Sequence, residues 1–459
     1  MTTTNTLDDA PLSAFHKRLA FSASGGPFLD GYVLSIIGVA MVHLSTEWGL
    51  TTAAQGVVGI SSMLGIFVGG ILGGRISDLF GRRIPYTVTV GSIAALSLLQ
   101  FFVDGLVWLL VLRVLIGVAI GADYPIATSL LTEFSPNKHR GPVLGYFVVM
   151  WFVGAAAAYV CGQLLAQLGD NSWRWMLVSA AAPAVLFLLA RAGTPESPRW
   201  LTSKGRIDRA NDALRRAFGP DVTVADIPDE PATNVDLRAL LRSGYGGRLL
   251  FVTAYWTASI VPLFAVYAFA PAILDGLGFG NSMEQIGSAI ITVTFMVGCI
   301  VAASLVNKIG RRPLMIHSFL WSAIALLLLG LFPNSSTMAV MALFLAYAIF
   351  IGGTQIMQQV YPNELFPTDI RSSANGLATS LSRIGAAIGT YLVPVSLTSL
   401  GVGTTMLLGA AITAFGAVIS VLWAPETRGL SLSESSGLSA PEQSKSEPVA
   451  VCGLSESDD

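Results

Sequence analysis

Twelve stretches of about 20 mostly apolar residues, the length a helix needs to cross a bilayer's hydrocarbon core, run through this chain. They lie at roughly 20–45, 55–77, 84–103, 106–131, 142–166, 173–193, 248–273, 285–306, 313–332, 337–360, 372–397 and 402–423. In lipid a spanning segment must satisfy its own backbone hydrogen bonds, so the fold class predicted is an all-α membrane protein of twelve transmembrane helices. Composition agrees. Of the 459 residues, 53% are hydrophobic and 12% charged, whereas a soluble domain carries about a quarter charged. A net charge of −2 gives no reason to expect nucleic acid. Cys161, Cys299 and Cys452 have no metal-ligand or redox spacing, and no metal site is expected.

The basic residues set an orientation. Of 26 Lys and Arg, all but Arg113, Arg174 and Arg383 fall on one side by these spans, and an excess of this kind marks the cytoplasmic side. Both termini are therefore expected in the cytoplasm of a multi-pass plasma-membrane protein. Four regions follow: a six-helix bundle over 1–193, a linker over 194–247, a second six-helix bundle over 248–432, and a disordered tail over 433–459 rich in Ser, Glu and Pro. The linker carries Arg199, Lys204, Arg206, Arg209, Arg215 and Arg216, with Leu214 and Phe218 at helical spacing. It reads as short amphipathic helices lying under the bundle.

The halves repeat. Asp78-Leu79-Phe80-Gly81-Arg82-Arg83 recurs as Asn307-Lys308-Ile309-Gly310-Arg311-Arg312. Glu133 with Arg140 recurs as Glu364 with Arg371, and Pro195-Glu196 as Pro425-Glu426. All three share an offset of about 230 residues, which implies two homologous six-helix halves. These motifs, with Arg113 twenty residues before Glu133 and with Pro195-Glu196-Ser197-Pro198-Arg199-Trp200, resemble the sugar-porter branch of the major facilitator superfamily. The runs Gly25–Tyr32, Gly121–Thr128 and Tyr361–Arg371 look like a subgroup of bacterial inner-membrane metabolite transporters, and Gly-Ala-Asp-Tyr-Pro is similar to proton–phosphate symporters. The resemblance implies two bundles rocking about a midplane site, a small-molecule substrate, protons as the driving ion and no cofactor. A chain of this kind is expected to work as a monomer in the bilayer.

Acids and bases mix at the cytoplasmic helix ends: Asp78, Arg82, Arg83, Glu133, Arg140, Glu196 and Arg199 in one half, Arg311, Arg312, Glu364, Arg371 and Glu426 in the other. They serve topology and helix capping, or, as the resemblance implies, an ion-pair latch that shuts the cytoplasmic mouth. Asn307 in place of Asp78's repeat partner predicts unequal latches.

Four charges fall well inside spans, away from their ends, where each costs at least about 2.5 kcal/mol: Asp30, Arg113, Asp123 and Arg383. By helix rise, Asp30 and Arg113 lie within about 5 Å of the same depth, which predicts an ion pair. The resemblance makes that pair the proton-coupling site, although it reads equally as a static tie between helices. Asp123 is a second proton-relay candidate or a partner for an interior hydroxyl. Arg383, near midplane, has no acid within the spans of its own half. Its partner is then a substrate carboxylate or phosphate, Asp30 or Asp123 reaching across, or water at a vestibule. Gln355 and Gln359 share a helix face and, with Tyr32, Trp151, Trp256 and Tyr391, are candidates to line the substrate site.

The seventh span lacks the paired Gln of sugar porters, and the fifth has no Gln before Gln163. The expected function is therefore proton-coupled symport of a small organic-acid-like metabolite. Alternatives are a sugar or polyol porter, a proton-independent facilitator or a drug exporter. Four scattered His residues make no catalytic cluster, and an enzyme is not expected.

Overall fold

The computed structural model describes residues 10–169, 171–226, 245–276, 281–430 and 432–436, and each predicted crossing is helical there. α1 (Ala14–Ala23) and α2 (Gly25–Trp48) form the first. α3 (Thr52–Phe80), α4 (Arg83–Leu99), α5 (Leu106–Phe134) and α6 (Asn137–Leu165) form the next four, and α7 (Ser172–Ser179) with α8 (Ala181–Arg191) the sixth. The second half holds α11 (Tyr245–Gly276), α12 (Asn281–Ile309), α13 (Arg311–Leu331), α14 (Thr337–Leu365) and α15 (Thr368–Trp423). α15 carries two crossings, because Gly401 at φ 79° interrupts it, a conformation that favours glycine. Apolar side chains such as Leu64, Val107, Leu189 and Leu422 are exposed around the outside. That is the lipid-facing surface of a multi-pass membrane protein.

Between the halves the linker forms α9 (Pro198–Ser203) and α10 (Ile207–Phe218). Ser197 caps α9, its Oγ accepting the N–H of Trp200 at 3.1 Å, and Pro198 occupies the first helical position, where its missing N–H costs nothing. α10 buries Ala210, Ala213, Leu214 and Ala217 and exposes its arginines. Linker residues 227–244 lie outside the described residues. The disordered tail was expected from 433, but the turn α16 (Leu432–Ser435) corrects that boundary. Leu432 is buried and Ser435 Oγ donates to the Glu364 carbonyl oxygen at 2.8 Å. Residues 437–459 lie outside the described residues.

Helix α3 packs on α5 through glycine. A Cβ at Gly65, Gly69 or Gly73 would strike the backbone of Val114, Val118 or Ala122, and one at Gly117 or Gly121 would strike that of Ser62 or Ile66. The four-residue spacing lines both helices with small residues where backbones meet, as membrane helix pairs often require. Across the halves, α3 meets the first limb of α15, and α6 meets α12. These two interfaces are equivalent under the internal repeat. Gly117→Leu is predicted to lower stability by about 1–3 kcal/mol through overpacking, seen as a reduced melting temperature in detergent. Gly38→Ala, at a position with nothing within 4 Å of the added Cβ, should leave it unchanged. Equal melting of wild type and Gly117→Leu would contradict the packing account.

Candidate functional site

At the arginine-rich end of the bundle two glutamates each collect arginines from both halves. Glu133 Oε1 lies 3.2 Å from Arg82 of its own half and 3.3 Å from Arg371 of the other. Glu364 Oε1 lies 2.9 Å from Arg311 of its own half and 3.2 Å from Arg140 of the other. All six side chains are buried. Ser197 Oγ and Thr427 Oγ1 donate to the two glutamates in turn. Burial works against the Arg82 charge, but Glu133, Asp78 and Glu196 outweigh it and hold its pKa above the ordinary arginine value.

Backbone bonds reinforce the closure. Arg82 Nη2 donates to the Thr368 carbonyl at 2.9 Å, and Arg140 Nη2 to that of Leu430 at 3.3 Å. Asp78 Oδ2 accepts the N–H of Ser373 at 2.8 Å, whereas Asn307 Nδ2 donates to the Lys138 carbonyl at 2.5 Å. Asp78 thus accepts across the halves and Asn307 donates across them, to partners that are not repeat counterparts. That is the chemical content of the Asp-to-Asn difference.

The remaining helix-end charges have other partners. Glu196 accepts the backbone N–H groups of Arg82 and Arg83 at 2.7 and 3.1 Å, and Glu426 those of Arg311 and Arg312 at 3.0 and 3.2 Å. Both glutamates thus cap helices, α4 and α13, and both face a glycine of positive φ, Gly81 (99°) and Gly310 (103°). Arg312 Nη2 bonds the Val421 carbonyl at 2.9 Å. Arg83 is exposed, and Arg199 is half-buried on α9.

Midway along the bundle a cavity of about 50 Å³ lies between the halves, lined by Tyr124, Trp151 and Phe152 from one side and Trp256, Gln355, Gln358, Gln359 and Arg383 from the other, among others. Asp30, fully buried, accepts from Tyr124 Oη at 2.8 Å and Trp151 Nε1 at 3.0 Å through Oδ2. Arg383 Nη2 stands 3.8 Å from that same oxygen, beyond hydrogen-bond length. Gln358 donates to Ser259 Oγ at 2.9 Å and to Gln355 Oε1 at 2.8 Å. Among the described residues three lining residues keep a buried polar atom with no partner: Trp256 Nε1, Gln359 Oε1 and Arg383 Nε. Each such atom costs about 1–3 kcal/mol.

The predicted Asp30–Arg113 pair does not form. Arg113 Nε donates to the Val58 carbonyl at 3.3 Å and Ser61 Oγ at 3.2 Å on α3, while its Nη1 and Nη2 are buried with no partner among the described residues. Shared depth was the basis of the prediction, and the direction each side chain takes around its helix decided otherwise. Asp123 is likewise absent from the cavity lining. Its Oδ1 and Oδ2 accept from Arg191 Nη1 and Nη2 at 2.5 and 2.8 Å, and Oδ1 from Thr89 Oγ1 at 2.6 Å. Arg191 also stacks 3.8 Å from the Tyr86 ring centroid. Counting Arg191 among loop residues hid this partner, although it falls within the predicted 173–193 span. Tyr32 bonds Ser179 Oγ at 2.6 Å and does not line the cavity. The side chain of Tyr391 lies outside the described residues.

Two pseudo-symmetric helical bundles closed by ion pairs at one end, with a polar cavity between them, define a membrane transporter. The chain belongs to the Sugar (and other) transporter family, which it matches over residues 19–438. It is 44% identical over 432 residues to YaaU of Escherichia coli (strain K12), a candidate metabolite transport protein, covering 94% of this chain and 97% of that one. It is 38% identical over 426 residues to the inner membrane metabolite transport protein YgcS of the same strain, covering 93% and 95%. Among solved structures, the major facilitator superfamily proton:xylose symporter XylE bound to 6-bromo-6-deoxy-D-glucose superposes with a TM-score of 0.81 at 22% identity, covering 93% of this chain and 100% of that one.

Removing one member of a buried ion pair costs about 3–5 kcal/mol. Arg140→Gln combined with Arg371→Gln is therefore predicted to part the two halves at this end. Spin labels on α6 and α12 should show the longer-distance population rising at least tenfold over wild type. Unchanged distance distributions would deny these pairs any part in the closure.

Proposed function

We propose that the protein is a proton-coupled symporter of a small anionic metabolite, working by alternating access. In this reading Asp30 carries the proton, Arg383 contacts the substrate's anionic group, and the Glu133 and Glu364 clusters latch the cytoplasmic mouth. The arginine-rich end, the excess of basic loops and the inner-membrane relative together support cytoplasmic termini.

The observation that carries the coupling is the cross-half approach of Asp30 and Arg383 at 3.8 Å. With Asp30 ionised the two charges cancel. A proton alone would leave Arg383 uncompensated, and an anion alone would leave an extra negative charge. Either state costs several kcal/mol in a low-dielectric interior, and only proton and anion together restore neutrality. The penalty on each half-loaded state is what makes cotransport obligatory.

At about 50 Å³ the cavity is below the roughly 300–1,000 Å³ of ordinary ligand sites. Loading therefore goes with widening of the cleft on the side opposite the latch. A second reading rests on the same cavity: the amides of Gln355 and Gln359 and the indole of Trp256 suit the hydroxyls of a sugar or polyol.

In proteoliposomes, Asp30→Asn is predicted to abolish accumulation driven by a pH gradient while retaining exchange of labelled for unlabelled substrate. The substrate is found first by thermal stabilisation with monocarboxylates, phosphate esters, sugars and polyols. At one hundred times Kd a true ligand adds about 2.7 kcal/mol. Stabilisation by carboxylates, lost in Arg383→Gln, is expected. Stabilisation by sugars that survives Arg383→Gln would overturn the anionic substrate, and gradient-driven accumulation by Asp30→Asn would overturn the coupling.

A further inference from the structure

A second site lies at the arginine-rich end, outside the bundle. A groove of about 780 Å³ runs between the start of α4 and the linker helices α9 and α10. Its polar side holds Arg83, Arg206, Arg209 and Arg216 against Glu196 and Asp212. Glu196 is already occupied by the backbone N–H groups of Arg82, Arg83 and Ser197, so the arginines are in excess.

Among the described residues the guanidinium groups of Arg83, Arg209 and Arg216 have no protein partner, and all three are exposed. Arg312, the repeat counterpart of Arg83, instead spends its guanidinium on the Val421 carbonyl. The spacing of Arg209, Asp212 and Arg216 places them on one face of α10, while Ala210, Ala213, Leu214 and Ala217 turn inward.

The groove's other wall is apolar and open. Phe80, Ile84 and Val88 line it with exposures of 70%, 68% and 56%, and Ile84 and Val88 belong to the outer face of α4. A ligand here meets guanidinium groups at one end and the lipid-facing surface of a spanning helix at the other. Arginine forks suit phosphate oxygens, and a basic cluster at the edge of the membrane attracts anionic headgroups.

We propose that this groove binds the phosphate headgroup of an anionic phospholipid, with its acyl chains lying along α4. The apolar wall commits the site to a lipid and not to free phosphate, which has nothing to place against Phe80, Ile84 and Val88. The site is independent of the transported substrate and touches none of the cavity residues.

The test uses the full chain, delipidated in detergent and analysed by native mass spectrometry with phosphatidylglycerol or phosphatidylcholine added. Wild type should hold phosphatidylglycerol in preference to phosphatidylcholine. Arg209→Gln with Arg216→Gln should cut that binding about tenfold. Lys204→Gln with Arg215→Gln removes the same charge from neighbouring exposed residues that do not line the groove, and should change binding by less than about twofold. No preference in wild type, equal losses in both double variants, or displacement of the lipid by millimolar inorganic phosphate would each overturn the proposal.

Discussion

An ionised side chain inside a low-dielectric bundle is costly without an opposite charge in reach, and this protein finds several of those charges in its other half. Glu133 meets Arg371, Glu364 meets Arg140, and Asp30 meets Arg383. These contacts hold only while the halves sit against each other at the latch end. If the halves part there, water must replace each partner. Asp123 and Arg191 differ in kind, because both belong to the first half. Their pair lies within that half and fastens α5 to α8.

The two ion-pair clusters follow the internal repeat and the centre does not. Glu133 and Glu364, Arg82 and Arg311, and Arg140 and Arg371 are repeat partners with matching contacts. Applying the same offset to Asp30 and Arg383 leads, within a residue, to Ile260 and Phe152, apolar residues that also line the cavity. Duplication thus supplied a symmetric closure. The cavity's charge resides in one carboxylate and one guanidinium on opposite sides.

The spans and the repeated charged motifs were legible in the sequence, because apolar length and repeated motifs survive projection onto one dimension. Partnership in the membrane interior was not. Depth along a helix can be counted, but the azimuth of Arg113, which turns it toward Ser61 and the Val58 carbonyl, depends on packing. Arg383 was recognisable as an arginine with no acid in the spans of its own half, and Asp30 stood among its candidate partners. Arg191 was missed because a charge near a span end reads as a loop residue. The capping roles of Glu196 and Glu426 were open beside the latch reading, and only the N–H geometry separated capping glutamates from bridging ones. The glycine seam between α3 and α5 had a signal in its four-residue spacing that hydropathy alone does not register.

We propose that Asp30 takes up the transported proton. Infrared difference spectroscopy of the reconstituted protein, recorded on acidification, reads this as a protonated-carboxyl C=O band. Asp30→Asn is expected to remove that band while a variant at the lipid groove, such as Arg209→Gln, retains it. A band of undiminished intensity in Asp30→Asn would move the proton to another carboxylate.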